Sequence, residues 1–549
     1  VKFKKLYVSM LNKKPALLHN TKLIFPFYAT HSAAKKDMAQ AVYEEHCWYT
    51  VVQKQLIFFN VKLEDRQIKV TNILCGPLEH TSWNTILQAI DVFARSRFVQ
   101  TVTLSFSAKE TILTELISQG YQQDQEGLTK KLYYHTALVL SGGGARGAYQ
   151  IGAWRALKEL GITFELIAAT SVGALNAALM MMNDEKKAQQ LWYQISTEQI
   201  LAFPKAAADN HSFHQLVRQL RSLSISALKE QGISARPLQE LLRHTLDAKK
   251  WAEFPAQLFI CTTRLRGLKE KVVAVGPVKQ SWEWLVASAA FFPAMQPIQI
   301  KGEDYIDGGY RNDFPMDVAL SHGATECICM DAKGPGIRKK TTVPEDVANL
   351  TLRSPWSLGS FLIFDSKRST INEQLGYLET MKYFHHYTGF WYTFTNETNW
   401  QTDWQLFISK LPDHEYAWLQ ERSFWHKFYK LYAKKVPLEQ VGMAFVELMG
   451  RFLSLLPDKV YTKDQFVTAL TTAREKTYPP VEAALSFTEW VEVYHKEYFL
   501  LSKKNQFVTI NELLEKETEI PSWFVEKSAV LFITVKFFRF LQKKEPKNA

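Results

Sequence analysis

Over the first 134 positions the apolar residues follow two different periods. Residues 47–63 and 67–75 are rich in Val, Ile, Phe and Tyr and read as strands. Trp83, Ile86, Leu87, Ile90, Phe93 and Ala94 then recur at i, i+3, i+4 and i+7 spacing, which predicts a helix with one buried face. Residues 101–106 predict a further strand, and residues 110–119 a further helix that stops at Gly120. From about 135 to 333 short apolar strands alternate with helices. Strand 136–141 precedes helix 148–160, and strand 164–171 precedes helix 172–182; further strands are expected at 257–265, 271–275 and 326–331. Alternation of this kind predicts an α/β fold, a mostly parallel sheet covered by helices. Residues 334–346, with Gly, Pro and a charge run, read as a linker. Beyond them the pattern is mainly helical and aromatic, with Trp391, Trp400, Trp404, Trp418 and Trp425. The expected organisation is therefore an α+β domain at 1–134, an α/β domain at 135–333, a linker at 334–346 and a helical region at 347–549.

Length and composition agree with several packed domains. At roughly 150 residues per domain, 549 residues accommodate three or four, and 46% apolar content suffices for their cores. Five cysteines are too sparse for a disulfide-stapled scaffold, so a reduced, intracellular chain is expected. The net charge of +11 favours polyanionic surfaces, an anionic membrane face among them. The basic start is followed by mixed residues, not by the apolar stretch of a secretory signal. The two most apolar stretches, 441–456 and 528–541, are shorter than the ~20 residues needed to cross a bilayer and contain Glu447 and Arg451, or Lys536 and Arg539. Both are expected to be ordinary helices.

Candidate chemistry is concentrated in the α/β region. Strand 136–141 runs into Gly142-Gly143-Gly144-Ala145-Arg146-Gly147 and then a helix. Glycines let backbone N–H groups approach a ligand closely, and a helix start favours negative charge, so this is an anion-binding loop. It lacks the Lys and Ser/Thr of a P-loop. It matches G-x-G-x-x-G nominally, yet the next strand ends Ala168-Ala169-Thr170-Ser171, without the acid that would hold a ribose. That ending is itself informative. Ala169-Thr170-Ser171-Val172-Gly173 is a variant of G-x-S-x-G at a strand-to-helix turn, where small residues two before and two after the serine permit a sharp elbow. Ser171 would serve equally as a plain helix N-cap. No histidine is well placed as its base: His322 is expected to begin a turn, and His211 and His214 lie in a polar stretch. Asp307, which leaves an apolar strand into Gly308 and Gly309, is a better partner, although Asp-Gly-Gly taken alone is an ordinary turn. Cys327 and Cys329 share one face of a strand and are read as core, not as metal ligands.

These pieces occur in a telling order. The stretches LVLSGGGARGAYQIGAWRAL (138–157), ATSVGALNAA (169–178), ASAAFFPAMQP (287–297) and IDGGYRNDFPMDV (306–318) closely resemble the patatin-like phospholipase family over about 135–333. That resemblance implies a lipid acyl hydrolase that cleaves carboxylic esters through a Ser–Asp dyad and an acyl-enzyme. Ser171 would be the nucleophile and Asp307 its partner, with Gly142, Gly143 and Gly144 forming the oxyanion hole and Arg146 supporting it. Ala169, Gly173, Gly308 and Gly309 would shape the two turns, and Ala169 departs from the usual glycine. The chemistry implied needs no metal or cofactor. Its substrate would be a phospholipid or other acyl ester, and nucleic acid is not an expected partner. A cytoplasmic protein able to lie against the inner, anionic face of a membrane would fit the charge.

The flanks carry less chemistry. Residues 1–134 resemble the later half of a GNAT-type acetyltransferase through their strand–helix–strand–helix order and Ile117-Ser118-Gln119-Gly120-Tyr121. The loop that should carry the cofactor motif reads Cys75-Gly76-Pro77-Leu78-Glu79-His80-Thr81, which implies a degenerate structural or regulatory domain. Near the C-terminus, Trp523, Phe524, Phe532, Phe537, Phe538 and Phe540 alternate with Lys536, Arg539, Lys543 and Lys544. They suit a surface helix on anionic lipid, or a terminal helix docked by the same aromatics, and the docked helix is preferred. A lipid-binding or regulatory scaffold with a vestigial site is the alternative to the hydrolase.

Overall fold

Two separate sheets organise the first of two compact units, residues 1–383, and the second unit comprises residues 384–549. The computed structural model describes residues 3–13, 30–52, 55–64, 66–75, 83–105, 110–125, 127–200, 234–476, 498–516 and 522–544. His211, His214 and the loop at 76–81 therefore lie outside the described residues.

The N-terminal sheet comprises β1 (Lys4–Lys5), β2 (Cys47–Val52), β3 (Gln55–Glu64), β4 (Gln67–Cys75), β5 (Thr101–Leu104), β6 (Gln122–Gln123) and β7 (Leu128–Lys131), in the order β1-β2-β3-β4-β5-β7-β6. The continuous apolar run at 47–63 divides into two antiparallel strands, Val52 pairing with Gln55. Only β4 and β5 are parallel, joined through the helix Trp83–Arg95. That helix buries Ile86, Leu87, Ile90, Phe93 and Ala94 as its 3.6-residue period requires, packing them against Phe59, Ile68 and Val102 of the sheet.

The second sheet comprises β8 (Thr136–Leu140), β9 (Leu166–Thr170), β10 (Gln257–Arg264), β11 (Lys269–Val275), β12 (Ile298–Ile300), β13 (Glu303–Asp307), β14 (Glu326–Met330) and β15 (Ala348–Leu352). Five strands, β10-β9-β8-β14-β15, run parallel. Every residue of β8, β9 and β14 is buried, as expected of strands covered on both faces. β10 is longer than β9, and this difference shapes the site. Along β10, Cys261 pairs with Thr170, the last residue of β9; the next residue, Thr262, pairs with Asp307, the last residue of antiparallel β13. The two strand ends thus meet on neighbouring positions of β10.

The chain does not leave this sheet at 333. Residues 334–346 form no helix or strand; β15 then adds a parallel strand beside β14, and the helix Ser366–Tyr383 packs along the helix Ala148–Glu159. Their backbones approach so closely that a Cβ on Gly152 would stand 1.7 Å from the Glu373 carbonyl oxygen, and one on Gly376 would stand 1.9 Å from that of Tyr149. Buried Glu373 secures the pair by accepting from Arg155 Nε at 2.9 Å and Tyr193 Oη at 2.9 Å.

The second unit is helical, with a two-stranded ladder of Thr393–Phe394 and Val460–Tyr461. Its last helix, Ala529–Lys544, is docked by its aromatics. Ile533, Val535, Phe537 and Phe538 are fully buried, Phe537 meeting Trp404 edge-on and Phe407 at a tilt, and Lys536 pairs with Glu415. The helix Val441–Phe452 is buried as well. Among the described residues no helix is long and apolar enough to cross a membrane. All five cysteines are free and buried, and Cys327 and Cys329 pack in the core beneath β8 and β14.

The close helix pair predicts that Gly376→Ala lowers stability by about 1–3 kcal/mol through overpacking. Gly276→Ala, whose Cβ would meet nothing within 4 Å, should be neutral. Urea midpoints measure both; an unchanged midpoint for Gly376→Ala would contradict the packing.

Candidate active site

The helix Val172–Met181 is apolar apart from Asn176 and buried on nearly all sides. It can follow β9 directly only through a sharp turn, and Ser171 occupies that turn with φ +55° and ψ −127°, a sparsely populated conformation that costs about 1–3 kcal/mol. Two contacts hold the strain. A Cβ on Gly173 would stand 2.5 Å from the Leu140 carbonyl oxygen, so only glycine permits the helix to pack there. The Ser171 N–H donates to Ser288 Oγ at 2.9 Å, and Ser288 Oγ donates to the Cys261 carbonyl at 2.7 Å. Ala169 is fully buried and pairs with Ile260 and Leu140, so the sheet accommodates its methyl group.

Ser171 occupies the N-cap position of the helix that follows, but its side chain makes no capping hydrogen bond there. Its hydroxyl donates instead to Asp307 Oδ2 at 2.5 Å, across 136 residues of sequence. Asp307 is 5% exposed, and its Oδ1 accepts from the Gly309 N–H at 2.7 Å. The Gly308–Tyr310 turn that supplies this donor sits against β10: a Cβ on Gly308 would stand 2.2 Å from the Cys261 carbonyl oxygen. Burial raises the Asp307 pKa to about 7; the Ser171 and Gly309 hydrogen bonds pull it down, and the charge of Asp313 pushes it up.

The glycine loop runs beside this pair. The N–H groups of Gly143 and Gly144 have no hydrogen-bond partner among the described residues, and both residues line the same cavity as Ser171 and Asp307. Gly142 corrects the expectation of three donors, because its N–H is committed to the Asp313 carbonyl at 3.1 Å. Two donors remain. Gly144 has φ +55°, and a Cβ there would strike the Phe361 carbonyl oxygen at 2.0 Å. That carbonyl accepts the Ala145 N–H at 2.8 Å. Arg146 donates to the carbonyls of Gly359, at 2.8 Å from Nε, and Lys333. It therefore ties the loop to the segment that follows β14.

The cavity has a volume of about 450 Å³ and a wall dominated by apolar side chains, among them Leu175, Leu179, Trp192, Leu242, Met295 and Phe364. Such a space suits an apolar chain presented to a few polar groups at one end. Asp307 and Asp313 are the charged side chains on its wall among the described residues. A buried network braces it from behind: Asn176 Nδ2 donates to the Gly147 carbonyl, Trp192 Nε1 to Asn176 Oδ1, and Gln150 Nε2 to the Ser141 carbonyl, each at 2.9 Å. His322 caps the end of the helix Met316–Ser321, where its Nδ1 lies 2.8 Å from the Val318 carbonyl. Among the described residues no group of three or more His, Cys, Asp or Glu is disposed to hold a metal ion.

Sequence reasoning missed Ser288, Asp313, Asn176 and Phe361. Ser288 and Asp313 lie inside the resembling stretches, so their proximity to Ser171 and Asp307 was a signal. Asn176 was signalled by its polarity in an otherwise apolar helix.

The α/β region is similar in sequence to known proteins. The family model for patatin-like phospholipase matches residues 138–320. Patatin-like phospholipase domain-containing protein 7 of Rattus norvegicus is 31% identical over 197 residues, which are 36% of this chain and 13% of that protein. Lysophospholipase NTE1 of Mycosarcoma maydis is 26% identical over 197 residues, 35% of this chain and 9% of that protein. The chain thus spans only a small part of the length of these relatives. Among solved structures, VipD from Legionella pneumophila aligns over 78% of this chain and 95% of its own, at 14% identity and a TM-score of 0.30, too low to bear on the fold. The motifs and the sheet that carries them coincide with the stretch, residues 138–320, that matches the patatin-like phospholipase family model.

Proposed function

We propose that this chain hydrolyses carboxylic esters of lipids, with Ser171 as nucleophile and Asp307 as its base. The observation that carries the reading is the 2.5 Å hydrogen bond from Ser171 Oγ to Asp307 Oδ2 at the wall of an apolar cavity. The relatives' names, phospholipase and lysophospholipase, support a lipid ester as substrate.

In this reading the acyl chain lies in the cavity, with its ester carbonyl beside the glycine loop. Ser171 Oγ attacks the carbonyl carbon, and the proton it loses passes to Asp307. Negative charge develops on the carbonyl oxygen, where the Gly143 and Gly144 N–H groups can receive it; donors of this kind are worth about 3 kcal/mol each. The positive end of the helix Val172–Met181 adds to their field. Asp307 returns the proton to the departing alcohol oxygen, leaving an acyl group on Ser171. Water then attacks that acyl group, Asp307 accepting and returning its proton, and the fatty acid is released. A carboxylate with an ordinary pKa of 3.8 would be a poor acceptor. Burial improves it, because a base poised near the working pH accepts a proton more readily.

The substrate must reach this cavity from an aggregate or a membrane. The basic surplus of the chain supports peripheral contact with an anionic surface.

Two measurements test the reading. Ser171→Ala and Asp307→Asn should each lower kcat for a phospholipid or p-nitrophenyl ester by at least about 10⁴-fold; near wild-type turnover in either would refute the dyad. Because Asp307 must be ionised to accept a proton and its pKa is raised to about 7, kcat/KM of the wild type should fall as pH drops below about 7 and level off above it. An acid limb near pH 4 would contradict a base whose pKa is raised by burial.

A further inference from the structure

Asp313 is a second carboxylate in the same cavity, and the steps above make no use of it. It is 2% exposed, and its buried Oδ2 has no hydrogen-bond partner among the described residues. Glycines surround it. Cβ atoms built on Gly142, Gly334 and Gly336 would stand 2.3, 2.8 and 2.7 Å from Oδ1. A Cβ on Gly309 would stand 3.1 Å from Asp307 Oδ1 and 3.3 Å from Asp313 Oδ1, so the two acids face each other across that vacant position.

Other charges nearby are largely engaged. Arg338 attracts Asp313 but makes a two-pronged pair with Asp331, at 2.6 and 3.0 Å, and Asp331 repels Asp313. Tyr310 stands beside Asp307. Glu270 and Asp317, on β11 and the helix Met316–Ser321, are bound by Lys339 and by the Asn312 amide. Two buried carboxylates this close do not both ionise readily, since like charge in a dry site holds a proton on one of them.

We propose that Asp313 is a positioning residue that acts through Asp307: its carboxylate repels that of Asp307 and thereby makes Asp307 a stronger proton acceptor. This inference rests on the Ser–Asp reading. Burial raises the pKa of Asp313 to about 6, while the Arg338 guanidinium and the Gly142 N–H draw it down.

The test is the pH profile of kcat/KM for a soluble p-nitrophenyl ester in the wild type, Asp313→Asn and Asp313→Ala. Removing the charge should move the acid limb to lower pH by about half a unit to one unit, and the plateau activity should fall as the base weakens. Both variants should shift in the same direction, and thermal midpoints identify any variant that is unfolded. A limb at its wild-type position, or displaced to higher pH, in a folded variant would overturn the proposal. Absence of wild-type turnover, or full turnover in Ser171→Ala, would instead overturn the hydrolase reading on which it stands.

Discussion

The architecture of this site depends on how the edge of β10 is divided. One stretch pairs with β9 and the next with β13, so the last residues of those strands occupy successive positions on a common strand. Backbone pairing, not a side-chain contact, therefore sets the separation of Ser171 and Asp307. The short hydrogen bond between them follows from register. Slipping either strand by one residue would turn the side chains to opposite faces of the sheet and abolish the contact.

Around this geometry the chain tolerates unfavourable features that an ordinary core would avoid. Ser171 holds a strained backbone angle, Asp307 and Asp313 are buried acids, and two glycine N–H groups lack partners among the described residues. Features of this kind persist when surrounding packing over-determines them. Here that packing comes from far along the chain. Gly142 is fixed by Asp313, Ala145 by Phe361, and Arg146 by Lys333 and Gly359. The backbone after β14 is thus part of the loop's support, and β15 and the helix Ser366–Tyr383 anchor that backbone to the sheet.

Much of this could be read from local patterns because the elements concerned are specified locally. The apolar strands at 136–141 and 164–171, the glycine cluster, the small residues around Ser171 and the Asp-Gly-Gly turn each carry their instruction in a few consecutive residues. The helix at Trp83–Arg95 was legible from its period, and the docking of Ala529–Lys544 from its aromatic density. What escaped was set by distance. Nothing in the immediate surroundings of Gly142 says that its N–H meets residue 313, or of Gly144 that it lies against residue 361. Residues 334–346 looked like a linker because their charges and glycines resemble one. In the fold those glycines make room for Asp313, and Arg338 neutralises Asp331. The hairpin within 47–63 was hidden because both strands are equally apolar.

The central claim is that Ser171 is a nucleophile activated by its contact with Asp307. Treatment of the full chain with a fluorophosphonate, followed by peptide mass mapping, tests it most directly. A single phosphonyl adduct on Ser171 should form readily in the wild type and far more slowly in Asp307→Asn. No adduct, an adduct on another residue, or equal labelling in the presence and absence of the Asp307 carboxylate would contradict it.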